Sequence, residues 1–296
     1  MKRVKLLKTL IKLARVKHWL KNFLIFLPLI FSGSLTNLKL FALTLIAFFL
    51  FSFVSSVVYI LNDINDIEND RKHPQKKNRP LASGAISIKY AYIFLIILLL
   101  ISMIIGIAIS IKLNNLYVIL IVLAYFILNI LYSKKLKNYP IVDVVVIVIG
   151  FVLRLLLGSI VTGIEISNWL YLMVMFTGFY FGFGKRRNEF IQCKDESRKV
   201  LSKYNKEFLD KNMNVCLTLS IICYSLWCVD ETTIIRIGNN LLISSVPFLM
   251  IILFIYSLDI EGESGGDPTE VLLNNKFLLM ALILYCIYML LIIYIF

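Results

Sequence analysis

Long apolar stretches alternate with short polar segments along almost the whole chain. Each of nine stretches approaches or exceeds the roughly 20 residues that an α-helix needs to cross a bilayer. We expect an all-α, polytopic membrane protein with nine transmembrane helices, formed as one integral membrane domain over residues 1–296. The pattern contains no internal repeat and no hydrophilic segment long enough to fold alone. The predicted spans are 19–35, 40–61, 86–109, 115–133, 141–162, 168–183, 212–229, 240–258 and 276–296.

Residues 1–18 form a different kind of pattern. Val4, Leu7, Ile11 and Ala14 fall on one stripe of a helix, and lysines occupy much of the rest. This arrangement is typical of a basic amphipathic helix that lies on a membrane surface and is attracted to anionic lipid. A signal peptide is the alternative, but no small-residue cleavage site stands out and the basic region is long for one.

The basic residues predict the orientation of the spans. If nine helices alternate, four lysine- and arginine-rich segments share one side, and the opposite loops carry only Lys39, Lys112 and Arg236. The positive-inside rule places the side that is rich in lysine and arginine in the cytoplasm, with the N-terminus inside and the C-terminus outside. The predicted cytoplasmic segments are the N-terminal helix and the loops 62–84, 134–140, 184–211 and 259–275.

Composition supports the membrane assignment and limits the classes of partner that we expect. Hydrophobic residues make up 59% of the chain and the formal net charge is +13, which excludes an ordinary soluble domain. We therefore expect the bilayer as a partner, the plasma (inner) membrane as the location, and no nucleic acid. A homo-oligomer stays open at this point.

The segment 62–84 carries the most informative polar pattern. Asn62, Asp66 and Asp70 are four residues apart, and Asp63 lies three before Asp66, so on a helix these side chains share one face. Oxygen ligands so arranged suit a hard divalent cation, most naturally Mg²⁺ holding a diphosphate. A solvated helix end is the alternative. Cations suited to phosphate oxygens follow, at Arg71, Lys76, Lys77 and Arg79.

Arg154 is the most informative single residue, because a guanidinium inside a predicted span is costly. It is expected to face a polar cavity or an anion. The alternative is an ion pair with Asp143 or another buried carboxylate. Lysines at span ends, such as Lys134 and Lys135, are more simply explained as topology signals and interfacial anchors.

These motifs resemble those of the UbiA superfamily of intramembrane prenyltransferases, and the likeness extends over nearly the whole chain. The aspartate motif NDxxDxxxD at the end of the second span is specific to that superfamily. The resemblance implies a helical bundle around a cytoplasm-facing cavity, with Mg²⁺ as cofactor. The other matching segments are VKHWLKN at 16–22, HPQKKNRPLASG at 73–84, LKNYPIVD at 136–143, GFVLR at 150–154, GKRRNE at 184–189 and GDPTE at 266–270.

The segment GKRRNE discriminates within the superfamily. General prenyltransferases carry a second aspartate-rich motif there, whereas this chain offers three cations and Glu189. A basic wall suits additional phosphate. The resemblance is therefore to the branch that transfers 5-phosphoribosyl from phosphoribosyl diphosphate (PRPP) to a polyprenyl phosphate, with release of diphosphate.

The resemblance also implies residue roles. Asn62, Asp63, Asp66 and Asp70 would bind the metal, Asn62 and Asp66 as primary ligands. Asp66, Lys76 and Arg79 would be catalytic. GDPTE would help to close the site, although a helix cap explains Asp267 equally well. Substrate binding would involve Lys21, Asn22, Tyr59, Lys76, Arg79, Lys137, Arg154, Lys185, Arg186, Arg187 and Glu189.

Two other functions compete with this interpretation. A prenyltransferase that joins an isoprenyl diphosphate to an aromatic acceptor predicts a second carboxylate cluster near 185–189. A polyprenyl-phosphate transporter explains a basic cavity and Arg154, but not a regular row of metal ligands. The sequence leaves open the length and double-bond geometry of the polyprenyl chain.

Overall fold

A computed structural model of the chain describes residues 2–72, 76–192, 200–262 and 267–296, and these residues form helices and turns without strands. Parts of three predicted cytoplasmic loops, at 73–75, 193–199 and 263–266, lie outside the described residues. The α-helices are α1 Lys2–Leu13, α2 Leu27–Phe31, α3 Leu38–Asn65, α4 Ile67–Lys72, α5 Ile88–Leu113, α6 Tyr117–Lys134, α7 Val142–Thr162, α8 Asn168–Gln192, α9 Lys206–Val229, α10 Glu231–Ile237, α11 Val246–Glu261, α12 Pro268–Asn274 and α13 Lys276–Tyr294. The 3₁₀ segments are Val16–Phe26, Lys76–Asn78, Leu136–Asn138, Leu201–Lys203 and Leu241–Ser245.

Seven helical segments of the described chain are long and apolar enough to cross a membrane, and each coincides with a predicted span. They are α3, α5, α6, α7, α9, α11 with its preceding 3₁₀ turn, and α13. The chain is therefore an all-helical, multi-pass membrane protein. The count of nine stays a prediction, because the other two expected spans lack that combination of length and apolar composition.

Those two spans depart from the expectation in different ways. The first, 19–35, is built from the 3₁₀ segment Val16–Phe26 and the five-residue helix α2. The sixth, 168–183, lies in α8, whose 25 residues include many aromatic side chains and glycines in place of aliphatic ones. At about 1.5 Å per residue α8 is long enough to span the hydrocarbon core, so composition and not length sets it apart.

Local sequence accounts for several helix starts. Asn37, Ser87 and Asn205 each accept hydrogen bonds from backbone N–H groups of the first helical turn, at the starts of α3, α5 and α9. Such caps satisfy donors that have no partner within the helix. The caps therefore mark the residues at which these three helices begin.

Helices α3 and α7 form the centre of the bundle. About two thirds of the apolar window of α3 and 61% of that of α7 are buried within the protein, against 17% for α6 and 22% for α13. The apolar side chains exposed on α5, α6 and α13 are those expected to face lipid. Asn62 and Asp63 of the aspartate motif lie on α3 and Arg154 lies on α7, so these polar residues are carried by the most enclosed helices.

A glycine allows the N-terminal segment to pack directly on α7. A Cβ atom at Gly158 would lie 2.1 Å from the backbone oxygen of Ile25. Small residues permit this kind of close backbone approach between membrane helices. The contact matters for the site, because Arg154 lies one helical turn before Gly158 and Asn22 lies three residues before Ile25.

We expect Gly158→Ala to destabilise the protein by about 1–3 kcal/mol or more, because backbone atoms have to move apart. The matched control is Gly106→Ala in α5, where an added Cβ meets only side-chain atoms of Leu50 at ordinary contact distance. Thermal unfolding of both variants in detergent measures the difference. Equal melting temperatures would contradict the importance of this contact.

Candidate active site

The aspartate motif lies where the central helix α3 ends. Asn62 and Asp63 occupy its last turn, Asp66 (φ −103°, ψ 12°) interrupts the helix, and Asp70 follows in α4. The backbone N–H of Asp66 still donates to the oxygen of Asn62 at 3.0 Å, and that of Asp70 to Asp66 at 2.8 Å. The motif is therefore continuous in hydrogen bonding but bent at Asp66.

Two of the four predicted metal ligands are held by arginines. Asp63, which is 2% exposed, lies 2.5 Å from Arg15 and 3.2 Å from Arg79. Arg79 also contacts Asp70 at 2.6 Å. A buried carboxylate needs such counter-charge, because removing it from water is expensive. The result is an alternating chain of charge, Arg15–Asp63–Arg79–Asp70, at the end of α3. We call it the charge chain.

Arg15 is a site residue that sequence reasoning missed. It sits between α1 and the 3₁₀ segment with φ 51° and ψ 47°, a left-handed conformation uncommon for a residue other than glycine. Within a basic amphipathic stretch nothing distinguishes it from the neighbouring lysines. Only the fold shows that the chain turns there and directs this side chain to Asp63.

Asn62 and Asp66 differ from the other two predicted ligands. Both side chains are half-buried, and neither has a hydrogen bond or ion pair with the described residues. The structure thus does not gather four ligands into one set, and it gathers no group of three or more His, Cys, Asp or Glu side chains suited to a metal in the described chain. An amide and a carboxylate oxygen nevertheless fit Mg²⁺, which commonly takes one or two carboxylates and completes its shell with phosphate and water. As metal ligands all four residues stay predictions.

A second cluster combines cations from two elements around one carboxylate. Asp267 lies 3.1 Å from Lys21 of the 3₁₀ segment and 3.6 Å from Lys185 of α8. Its other oxygen accepts the backbone N–H of Thr269 and caps α12. Burial alone would raise the pKa of Asp267, but the two lysines hold it well below its usual range. The two interpretations of Asp267, site closure and helix cap, are compatible, because each uses a different oxygen.

His18 borders this second cluster, just before the predicted first span. Its Nδ1 lies 3.9 Å from Asp267, and its ring is 5.5 Å from that of Tyr59. Burial and the nearby charge of Lys21 lower the pKa of His18 to about 4, so the imidazole is neutral at pH 7. Tyr59 also lies under the guanidinium of Arg15, 4.8 Å from ring centre to Cζ.

Deeper in the bundle Arg154 is enclosed by neutral groups. Its Nε donates to Asn22 at 2.7 Å, and its other nitrogens donate to the backbone oxygen of Gly150 and the hydroxyl of Tyr125. The rings of Phe51 and Tyr125 lie 4.7 and 5.0 Å from its Cζ, distances typical of cation–π contacts. No carboxylate among the described residues pairs with it, so the alternative of an ion pair with Asp143 is wrong.

The three consecutive cations of GKRRNE contact three different places. Lys185 lies near Asp267, Arg186 pairs with Asp143, and Arg187 contacts Asp210 at 2.5 Å. A helix turns about 100° per residue, so neighbouring side chains cannot share a face. Only Lys185 therefore extends the second cluster.

Arg186 is fully buried and has a hydrogen-bond network of its own. Besides Asp143 it donates to Glu189 at 2.6 Å and to the hydroxyl of Tyr132 at 2.9 Å, and Tyr204 donates to Asp143 at 2.7 Å. With these donors engaged inside the protein, Arg186 and Glu189 stabilise the packing of α6, α7 and α8. Phosphate binding by Arg186, Arg187 and Glu189 stays a prediction that these contacts do not favour.

The remaining predicted residues lie in short turns. Lys76 belongs to the 3₁₀ turn Lys76–Asn78, directly before Arg79, and Lys137 is half-buried in the turn Leu136–Asn138. Arg79 accordingly links the basic loop to the end of α3.

The chain resembles known proteins in sequence and in fold. Residues 23–258 match the UbiA prenyltransferase family. The chain belongs to that family. It is 30% identical to the decaprenyl-phosphate phosphoribosyltransferase of Corynebacterium glutamicum over 275 residues, 91% of this chain and 82% of that protein. It is 28% identical to the protein of the same name from Mycolicibacterium smegmatis over 292 residues, 92% of this chain and 88% of that protein.

Solved structures share the fold. A UbiA homologue from Archaeoglobus fulgidus bound to GPP and Mg²⁺ superposes with a TM-score of 0.68 at 22% identity, covering 96% of this chain and 99% of that one. The same homologue bound to DMAPP and Mg²⁺ gives a TM-score of 0.66 at 22% identity, covering 97% and 99%. This UbiA-family chain is therefore a transferase with the UbiA fold.

The charge chain yields a test of its own. We expect Arg15→Met to destabilise the protein by about 1–3 kcal/mol, because Asp63 stays buried with only Arg79 as counter-charge. The control is Arg71→Met, which removes a pair with Glu68 in which both side chains are more than half exposed, together with a 3.3 Å hydrogen bond to the backbone oxygen of Ala82. It is expected to cost under about 1 kcal/mol. Thermal unfolding in detergent compares the two. A loss no larger than that of the control would show that the pair with Asp63 carries no stability.

Proposed function

We propose that this protein transfers the 5-phosphoribosyl group of PRPP to a polyprenyl phosphate, releasing diphosphate and forming polyprenylphosphoryl-5-phosphoribose in a Mg²⁺-dependent reaction. The observation that carries the proposal is that the carboxylate of Asp66, which has no partner among the described residues, lies at the same end of the bundle as lysines and arginines from separate elements. The relatives named decaprenyl-phosphate phosphoribosyltransferase support the same substrates.

The balance of charge favours PRPP over an isoprenyl diphosphate. PRPP carries a 5-phosphate as well as a diphosphate, and the polyprenyl phosphate adds another anion. Lys185 extends the cationic side of the site at the position where general prenyltransferases carry further carboxylates. A site with many cations and few free carboxylates is suited to substrates with more phosphate groups and to fewer metal ions.

The metal assignment follows the side chains that the structure leaves available. Asn62 and Asp66 would hold Mg²⁺, with the diphosphate and water as its other ligands. When bound, the ion would neutralise charge that develops on the leaving diphosphate. Structures of the archaeal homologue contain Mg²⁺, which supports a divalent cation in this fold.

The protein's own part in catalysis would be positioning and electrostatic stabilisation. Lys76 and Arg79 would contact the diphosphate and the lipid phosphate, and Lys21 and Tyr59 would hold the donor. An oxygen of the lipid phosphate would attack the anomeric carbon as its bond to the diphosphate oxygen breaks, with inversion. That nucleophile is already anionic, so the step requires no general base.

The location of the site suits one water-soluble and one lipid substrate. The site lies at the end of α3, with apolar helix surfaces running away from it along the bundle. We place it at the cytoplasmic face of the inner membrane, where PRPP would enter from water and the polyprenyl tail would stay in the bilayer. The strongly basic segments at this end favour the same orientation.

The competing functions fit the site less well. A prenyltransferase with an aromatic acceptor needs more carboxylates near 185–189, but Glu189 is hydrogen-bonded to Arg186. A transporter has no use for the available pair Asn62 and Asp66. Both functions are outcomes of the experiment that tests the proposal.

That experiment uses the purified protein in lipid nanodiscs, labelled PRPP and a polyprenyl phosphate, with and without Mg²⁺. We expect ribose phosphate in the lipid extract only when Mg²⁺ is present. Transfer from geranyl diphosphate to an aromatic acid, with none from PRPP, would overturn the proposal in favour of a prenyltransferase. Absence of both transfers would leave transport as the function to test.

A single substitution tests the role of Asp66. We expect Asp66→Asn to lower kcat/KM by about 100-fold or more while leaving the melting temperature unchanged, because this side chain has no partner among the described residues. Its control is Glu68→Gln, two residues along and largely exposed. Full activity in Asp66→Asn would remove this carboxylate from the reaction.

A further inference from the structure

His18 lies in the candidate site but has no part in the phosphate binding or the metal binding proposed above. Its Nδ1 is fully buried and has no hydrogen-bond partner among the described residues. Unsatisfied buried polar atoms are rare because each costs free energy, so such an atom points to a function or to a missing partner. Asp267, 3.9 Å away, is too distant for a direct hydrogen bond.

The Nδ1 of His18 and the Oδ1 of Asp267 are separated by 3.9 Å, a distance that one oxygen atom can bridge by hydrogen-bonding to both. A group about 2.8 Å from each atom would complete two good hydrogen bonds, and a hydroxyl can donate to a carboxylate while bonding an imidazole nitrogen. The hydroxyl of Thr269, in the first turn of α12, is a second buried group without a partner among the described residues. Two unsatisfied groups thus occur where α12 packs against the 3₁₀ segment.

The character of His18 argues against phosphate as its ligand. Since the imidazole is neutral at pH 7, it adds no charge for an anion. Lys21 and Lys185, beside Asp267, are better phosphate ligands. An uncharged, hydroxyl-bearing part of a substrate that also carries phosphate fits the neutral His18, the carboxylate and the two lysines together.

We propose that His18 and Asp267 form a hydroxyl-binding subsite for the ribose of the donor, beside lysines that take its phosphates. The proposal rests on the proposed function and deepens it by naming what recognises the sugar. An isoprenyl diphosphate has no hydroxyl, and would leave the buried Nδ1 of His18 without a partner. A site built around a substrate hydroxyl discriminates strongly against an analogue that lacks it.

The experiment compares two ligands, PRPP and inorganic diphosphate, by calorimetric titration of the full-length protein with Mg²⁺ present. We expect His18→Leu to weaken PRPP binding by about 10- to 100-fold while leaving diphosphate binding within about twofold. The ratio of PRPP affinity to diphosphate affinity, which measures selectivity, therefore falls. His18→Asn, which keeps a hydrogen-bonding side chain, is expected to recover part of that ratio.

Asp267→Asn is the second variant and keeps the proposal testable if His18→Leu does not fold. Asparagine still caps α12 but removes the charge beside the lysines. We expect diphosphate to bind more tightly and the ratio of PRPP to diphosphate affinity to fall. The matched control is Asp230→Asn, because Asp230 likewise caps a helix, α10, through the N–H of Thr233. It is expected to leave the ratio unchanged.

The outcomes separate this subsite from the function on which it rests. If wild-type protein transfers phosphoribosyl from PRPP but both variants keep the wild-type ratio, the subsite is wrong and the function stands. Equal weakening of both ligands by His18→Leu would likewise overturn it in favour of a packing role. If wild-type protein binds geranyl diphosphate and not PRPP, the proposed function and the subsite both fail.

Discussion

The buried carboxylate of Asp63 is the constraint on which the geometry of the site depends. It lies in the last turn of the most enclosed helix, 2% exposed, where an isolated negative charge would cost several kcal/mol. Arg15 and Arg79 supply the counter-charge from two segments that lie far apart in the sequence, the turn after α1 and the basic loop. Satisfying one charge therefore fixes both the turn after α1 and the basic loop.

This constraint also explains which carboxylate of the aspartate motif has no ion-pair partner within the described residues. Asp63 and Asp70 share Arg79, so their charges are compensated within the protein. Asp66 lies between them at the bend, where the backbone leaves the regular helix and the side chain has no partner among the described residues. These ion pairs thus leave Asp66 as the carboxylate available for the proposed reaction. A regular helix through 70 would not distinguish the three acids in this way.

Much of this arrangement was predictable from the sequence. Seven predicted spans coincide with long apolar helices because hydrophobic length is a direct consequence of the bilayer's thickness. The spacing of Asn62, Asp66 and Asp70 likewise predicted the candidate site at the end of α3, and this assignment stays a prediction. The first span was harder, because Val16–Phe26 forms a 3₁₀ segment held by tertiary contacts such as Gly158 against Ile25.

Residue partners were the least predictable part. Arg15 is one cation in a basic stretch. Its pairing with Asp63 depends on a left-handed backbone conformation that the neighbouring sequence does not predict. The composition of GKRRNE indicated one continuous basic surface. Because side chains rotate about 100° per residue around a helix, the three adjacent cations instead contact three different carboxylates. For Arg154 the sequence predicted a costly buried charge correctly, yet its stabilisation by Asn22 and aromatic rings needs segments more than 100 residues apart.

Charge alone does not distinguish a sugar phosphate from a lipid diphosphate, since both present the same phosphate oxygens to lysine and arginine. Discrimination within one fold requires a feature that one ligand satisfies and the other leaves unsatisfied. In the proposed site the cations would bind phosphate and Asp66 would bind the metal, whereas the neutral His18 beside Asp267 would bind neither. Neutral hydrogen-bonding groups inside an otherwise charged site are therefore where members of this family would differ in donor, even when their aspartate motifs are alike.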